Sequence, residues 1–299
     1  MKASRTALAA ALMRAIHSRL DRPRVIDDPW GDRLVTDDEK AELARRIRDE
    51  ASPEARARLA ALGSDGVDAV LRRNASYGGV VLRTRWAEDA LADAVARGVR
   101  QYVLVGAGLD SFCVRQPPYA RALDVYEVDH PASQALKRER LAAAEAPLPA
   151  NVRFVAADLA TDDLGTALAG AGFRSDVPAF FSWLGVTVYL TRAANTATLR
   201  AIARCAAAGS ELAFTYLDQR ALDAGAPQLE ERRAQRAAQG EPWLSGFDPT
   251  TLASDLRALG LTLVEDLDGR ALTARYCAAR SDGLAASLSG HVARASVAG

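Results

Sequence analysis

The stretch VLVGAGLDSF, residues 103–112, decides the fold. A run of Val and Leu breaks into Gly106-Ala107-Gly108, and an acid, Asp110, follows two positions later. This reads as a buried strand ending in a tight turn whose backbone passes close to a ligand, because glycine tolerates positive φ and carries no Cβ.

Outward from this stretch the chain alternates between strand and helix. Helical patterns at 83–98, 131–146, 164–172 and 194–209 separate the strand at 103 from strands expected at 122–129, 151–159, 178–186 and 211–218. That order predicts a parallel sheet with right-handed crossovers, a doubly wound α/β fold. Two further strands, 261–267 and 271–280, flank Asp-Gly-Arg closely enough to form a hairpin. The expected result is a Rossmann-like, mostly parallel sheet with an antiparallel strand near its edge, as in class I methyltransferases and unlike dehydrogenases. Residues 1–75 hold no convincing strand, only helical stretches at 6–19 and 38–62 around a turn-rich segment, and are expected to form a helical cap on the unit at 76–299. An insertion at about 218–246, carrying the charged helix LEERRAQRAAQG, is expected to lie over the ligand pocket as a lid.

Composition narrows the function. The 299 residues are 49% hydrophobic and 25% charged, with 38 basic and 38 acidic side chains. Balanced charge gives no net field toward nucleic acid or an anionic membrane, so a small-molecule partner is expected and neither of those. Cys113, Cys205 and Cys277 stand apart with no CxxC pair, which argues against a zinc site and fits a reduced, cytoplasmic setting. The N-terminal apolar run is interrupted by Arg14 and continues at helical spacing through Ile16 and Leu20. It reads as an amphipathic helix rather than a signal peptide.

In a doubly wound sheet the ligand sits at the carboxyl ends of the strands, where strand order reverses. The third glycine of the dinucleotide fingerprint is missing here, and Asp110 would repel a phosphate at that turn. A carboxylate there suits a cation, such as the ammonium and sulfonium of S-adenosyl-L-methionine. The second strand ends at Asp129, 21 residues after Gly108, about the distance at which an acid reaches the two hydroxyls of a ribose. The third ends in Asp158-Leu159, an acid for an adenine amino group with an apolar neighbour for the ring. A short-chain dehydrogenase would need Tyr-x-x-x-Lys, and none of the three lysines follows a tyrosine at that spacing.

VLVGAGLDS, VYEVDHP, VAADL and the upstream RTRWAED together resemble the leucine carboxyl methyltransferase-like family, in particular bacterial members assigned to O-methylation in polyketide and other secondary metabolism. The resemblance extends to the N-terminal AALMRAIHSRL and to the late GEPWLSGFDPTTLASDLRALG. It implies a class I O-methyltransferase using S-adenosyl-L-methionine, with Arg83 of RTR gripping the methionyl carboxylate. Gly106, Gly108, Asp129, Asp158 and Leu159 match the family's binding positions. Many relatives carry an acid for the cofactor's amino group where this chain has Leu184. That contact must come from Asp110, Ser182 or a main-chain carbonyl.

Methyl transfer is a direct displacement, so alignment and water exclusion are the main tasks. No base is evident among His17, His130 and His291, and no catalytic residue stands out. A carboxylate, with a pKa of about 4, needs no base, whereas a phenol near 10 benefits from one. The expected acceptor is therefore a small acid or acidic phenol. The competing reading is a non-catalytic binder of an adenosyl ligand on the same fold.

Overall fold

The computed structural model describes residues 4–50, 52–62 and 65–298. Five helices open the chain: α1 (Arg5–Leu20), α2 (Gly31–Leu34), α3 (Asp37–Glu50), α4 (Pro53–Leu62) and α5 (Asp65–Arg73). The single helix expected over 38–62 is two. Proline at the start of α4 suits a first helical turn, where its missing N–H has no partner to lose, and would break a helix interior. Residue 51, part of that expected helix, lies outside the described residues.

The long α6 (Tyr77–Ala96) leads into β1 (Gln101–Val105), followed by α7 (Phe112–Arg115), β2 (Asp124–Asp129), α8 (Pro131–Ala143), β3 (Val152–Ala156), α9 (Leu164–Gly170) and β4 (Ala179–Trp183). Then come α10 (Arg192–Cys205), β5 (Glu211–Leu217), α11 (Gln219–Asp223), α12 (Pro227–Ala238), α13 (Leu252–Arg257), β6 (Leu261–Asp268), α14 (Gly269–Cys277) and β7 (Gly290–Val297).

The seven strands form one sheet in the order β3-β2-β1-β4-β5-β7-β6. The first five are parallel, and β7 runs antiparallel to both β5 and β6. Strand order reverses between β1 and β4, which places the ligand crevice at their carboxyl ends. Each sheet face carries its own core: Leu104 packs with Leu82 and Trp86 on the α1/α6 side, while Val103 packs with Phe181 and Phe214 on the other. Adjacent residues part in this way because side chains alternate along a strand.

The C-terminal hairpin is built differently from the expectation. Residues 271–280 are not its second strand; most of them belong to α14, and the strand that pairs with β6 is β7. Asp268 accepts a hydrogen bond from the Ala271 amide at 2.8 Å and so starts a helix where a turn was expected. Leu272 and Cys277 of that helix are then buried. In β7 the small Ala293 and Ala295 are fully buried between its neighbours, too slight a pattern to announce a strand.

Candidate functional site

Above the switch point lies a cavity of about 300 Å³ whose floor is the turn after β1. The Gly106 and Ala107 amides donate to the Val128 carbonyl at 2.8 and 3.1 Å, tying that turn to the tip of β2. Gly106 has φ +71°, and a Cβ there would stand 2.6 Å from Val186 Cγ2. Any larger residue would close the floor against the β4 side.

Asp129 caps the same turn. One of its oxygens accepts from the Gly108 amide and the other from His130 N at 2.7 Å, which leaves each a further lone pair, and the side chain borders the cavity. Burial pushes its carboxyl above the usual range, and those two amides work against the shift. Asp110 spends Oδ1 on Phe112 N at 2.8 Å, opening α7, and also borders the cavity. Asp158 and Leu159, half-buried, form the rim at the tip of β3, where Asp158 Oδ1 accepts from Ala160 N at 2.9 Å. Ser182 is buried on β4 beside Leu104 of β1 and borders the same cavity.

Arg83 reaches the cavity from α6 and rests flat against Gly185, where a Cβ would meet Nη2 at 2.6 Å. Gly185 has φ +72° and its amide donates to Thr215 Oγ1 at 2.7 Å. Arg83 has no hydrogen-bond or carboxylate partner among the described residues. Burial, reinforced by the nearby Arg14, pulls its pKa down to about 10, so it remains a cation at neutral pH. All nine residues singled out in the sequence thus border one space, Ala107 included.

The helical cap supplies the wall that the strand motifs do not announce. Arg14 is buried, its Nε 2.7 Å from Asp28 Oδ2 and its Nη2 donating to the Leu109 carbonyl at 2.8 Å. Thr6, Ala10 and Tyr189 complete the enclosure. The available signal was Arg14 itself, a charge inside an otherwise apolar helical stretch.

A second cavity of about 150 Å³ adjoins the first, sharing Arg83, Gly185, Tyr189 and Thr6 with it. Trp243 borders this space, whereas Phe247 packs on Phe214 and Tyr216 in the far core. His291 edges the cavity but does not serve it as a base. Its ring stacks on Tyr216 at 4.7 Å, and its Nδ1 sits 3.0 Å from Asp266 and 3.1 Å from the Tyr216 hydroxyl. Alternation puts Thr215, Leu217 and Val292 on the cavity face and the Tyr216–His291 pair on the opposite one. His130 is the N-cap of α8, accepting from Ala132 N at 3.2 Å, and His17 is buried in the cap against Asp21.

Among solved structures, a provisionally named methyltransferase of Thermobifida fusca shares the fold with a TM-score of 0.56 at 19% identity, covering 78% of this chain and 89% of its own. A DUF574-family protein of Streptomyces avermitilis does so with 0.52 at 18% identity, covering 86% and 96%. By sequence, the chain is 31% identical over 290 residues to YktD of Bacillus subtilis, provisionally named an S-adenosyl-L-methionine-dependent methyltransferase, with 95% of both chains covered. A similarly named protein of Mycolicibacterium gilvum is 32% identical over 245 residues, 81% of this chain and 75% of its own. The leucine carboxyl methyltransferase family model matches residues 7–203, from the first turns of α1 past the tips of β1 to β4. Apart from Ser4 and Thr6, the residues that line the larger cavity fall within that match, and the chain belongs to the leucine carboxyl methyltransferase family.

Proposed function

We propose that the chain is an S-adenosyl-L-methionine-dependent O-methyltransferase, with the cofactor in the larger cavity and a small carboxylic acid or acidic phenol in the adjoining one. The observation that carries this reading is the unpartnered Arg83 guanidinium, held against Gly185 in the same cavity as Asp110 and Asp129. A cation and an anion at one end suit a zwitterionic amino acid, and an acid with free lone pairs at the other suits a ribose diol. Arg83 would hold the methionyl carboxylate, Asp110 or Ser182 would stand near the ammonium, Asp129 would take the ribose and Asp158 with Leu159 the adenine. The names of the curated relatives support the same cofactor.

When bound, this cofactor supplies an electrophilic methyl group on a sulfonium. The chain's part is to hold an acceptor oxygen in line and keep water out, with α1 and the 218–246 segment as the covering elements. Among the described residues no acidic side chain borders the smaller cavity, and His291 Nδ1 is engaged by Asp266 and the Tyr216 hydroxyl, so an acceptor already ionised at neutral pH fits best. The resemblance to the polyketide branch supports a secondary metabolite as that acceptor.

Leu184, standing where many relatives have an acid, favours a second reading: an adenosyl-ligand binder without turnover. Calorimetric titration with S-adenosyl-L-methionine and with NAD separates the cofactor classes, and only the former is expected to bind. Methyl-labelled cofactor offered with a panel of acids and phenols is then expected to label at least one of them. Binding without label transfer would leave the binder reading standing and remove the enzyme.

A further inference from the structure

The smaller cavity carries a charge pattern that the reaction itself does not require. Arg232 and Arg236, one turn apart on α12, border it together with Arg83, and among the described residues no Asp or Glu does. Arg83 belongs to the boundary with the larger cavity; the α12 pair lies beyond it.

Neither α12 arginine has a carboxylate partner among the described residues. The Arg232 guanidinium stacks over Trp243 with its carbon 5.3 Å from the ring centroid, and its Nη atoms reach only hydroxyls, Ser76 at 3.3 Å and Ser287 at 3.5 Å. Burial, with Arg236 adding to it, draws its pKa below the ordinary arginine value. Arg236 donates to Thr6 Oγ1 at 3.2 Å and Gln239 Oε1 at 3.4 Å. The nearest acid in this network, Glu241, is committed elsewhere: its oxygens accept from Ser4 Oγ, Thr6 Oγ1 and the Thr6 amide at the start of α1. Arg233 on the same helix does have an acid, Glu230 at 3.6 Å. Two like charges one turn apart beside apolar side chains and without a counter-ion cost free energy. A ligand that brings the counter-ion recovers it.

Resting on the methyltransferase reading above, we propose that Arg232 and Arg236 set acceptor specificity by binding an anionic group remote from the oxygen that is methylated. The acceptor is a compact dianion: one carboxylate or ionised phenol at the Arg83 and Gly185 end, an apolar body, and a second acidic group under α12. Met13, Val80, Leu272 and Trp243 form the apolar walls for that body. About 150 Å³ suits a single ring or a short chain.

The test is titration calorimetry on the full chain saturated with S-adenosylhomocysteine, which blocks turnover. The probes are benzoate and 3-hydroxybenzoate against the three benzene dicarboxylates and glutarate. At least one dicarboxylate is expected to bind ten-fold or more tightly than benzoate, with the advantage lost in Arg232→Met and in Arg236→Met while S-adenosylhomocysteine affinity holds. Arg236→Gln guards against a folding defect in the larger replacements and is expected to lose the same advantage. If no dicarboxylate outbinds benzoate, or if the variants retain the preference, the α12 arginines are surface charges of the lid and the proposal fails. Failure of S-adenosylhomocysteine to bind at all would instead remove the methyltransferase reading on which it rests, and the proposal with it.

Discussion

Gly185 and Arg83 act as one unit: the glycine leaves the space and the arginine fills it with charge. Gly185→Ala places a methyl 2.6 Å from Nη2 and puts alanine at φ +72°, a strain of about 1 to 2 kcal/mol before the guanidinium moves at all. Titration of this variant with S-adenosyl-L-methionine is expected to show at least a ten-fold weaker complex, and unchanged affinity would place the methionyl carboxylate elsewhere. Arg83→Lys keeps the charge and loses the planar fork, so it is expected to bind more weakly as well. Asp129→Ala leaves the Gly108 and His130 amides without acceptors and removes the proposed ribose contact. A loss of about 1 to 3 kcal/mol in cofactor binding is expected, and a wild-type titration curve would restrict Asp129 to holding the turn.

At the scale of elements, α1 and the 218–246 segment meet beside the cavities through Glu241, which satisfies the Thr6 amide at 3.2 Å and so caps α1 from outside it. Val188, Leu222, Leu229 and Trp243 form a small core that packs the same 218–246 segment in place. Glu241→Gln removes a negative charge from a helix N-terminus, worth about 0.3 to 1 kcal/mol. Faster hydrogen exchange at the first turn of α1 is the expected readout; unaltered exchange would make the contact incidental. The β1 turn, Asp129 and Asp158 were legible because local rules govern strand tips: glycine where backbone must approach, an acid where the strand ends. β7 and α14 were not, because Asp268 serves equally as turn residue and helix cap, and only packing against Ser287 and β5 decides between them. Arg14 and Arg232 reach their cavities from more than 60 residues away from the glycine turn. No periodicity reports such contacts.

For the molecule as a whole, the cap is fastened by buried charge as well as by apolar contact, and that gives its attachment a pH limit. Asp21 is buried, receives the Tyr77 hydroxyl at 2.8 Å and Arg72 at 2.5 Å, and faces His17 Nδ1 at 2.7 Å. His17 Nε2 accepts from Val25 N at 2.8 Å, so its Nδ1 carries the proton and donates to Asp21. Burial alone would raise the Asp21 pKa; His17, Tyr77 and Arg72 outweigh it and hold the carboxyl down at about 2. Asp28 is likewise held below the usual range, burial being overcome by Arg14 and Arg115. A carboxyl whose folded pKa lies below its unfolded value of about 3.9 stabilises the fold fully above that value and loses the contribution as pH falls toward the folded one. Asp21→Asn is therefore expected to be less stable than wild type in urea at neutral pH. The gap between the two proteins should stay constant down to about pH 5 and close between about 4 and 2, as wild-type Asp21 takes up its proton. Because α1 carries Arg14 and Thr6 into the cavities, S-adenosylhomocysteine should bind Asp21→Asn more weakly at neutral pH to the extent that the cap has loosened. A stability gap that persists unchanged at pH 2 would mean that the buried network works through shape alone, and that the cap is attached by apolar packing without help from its charges.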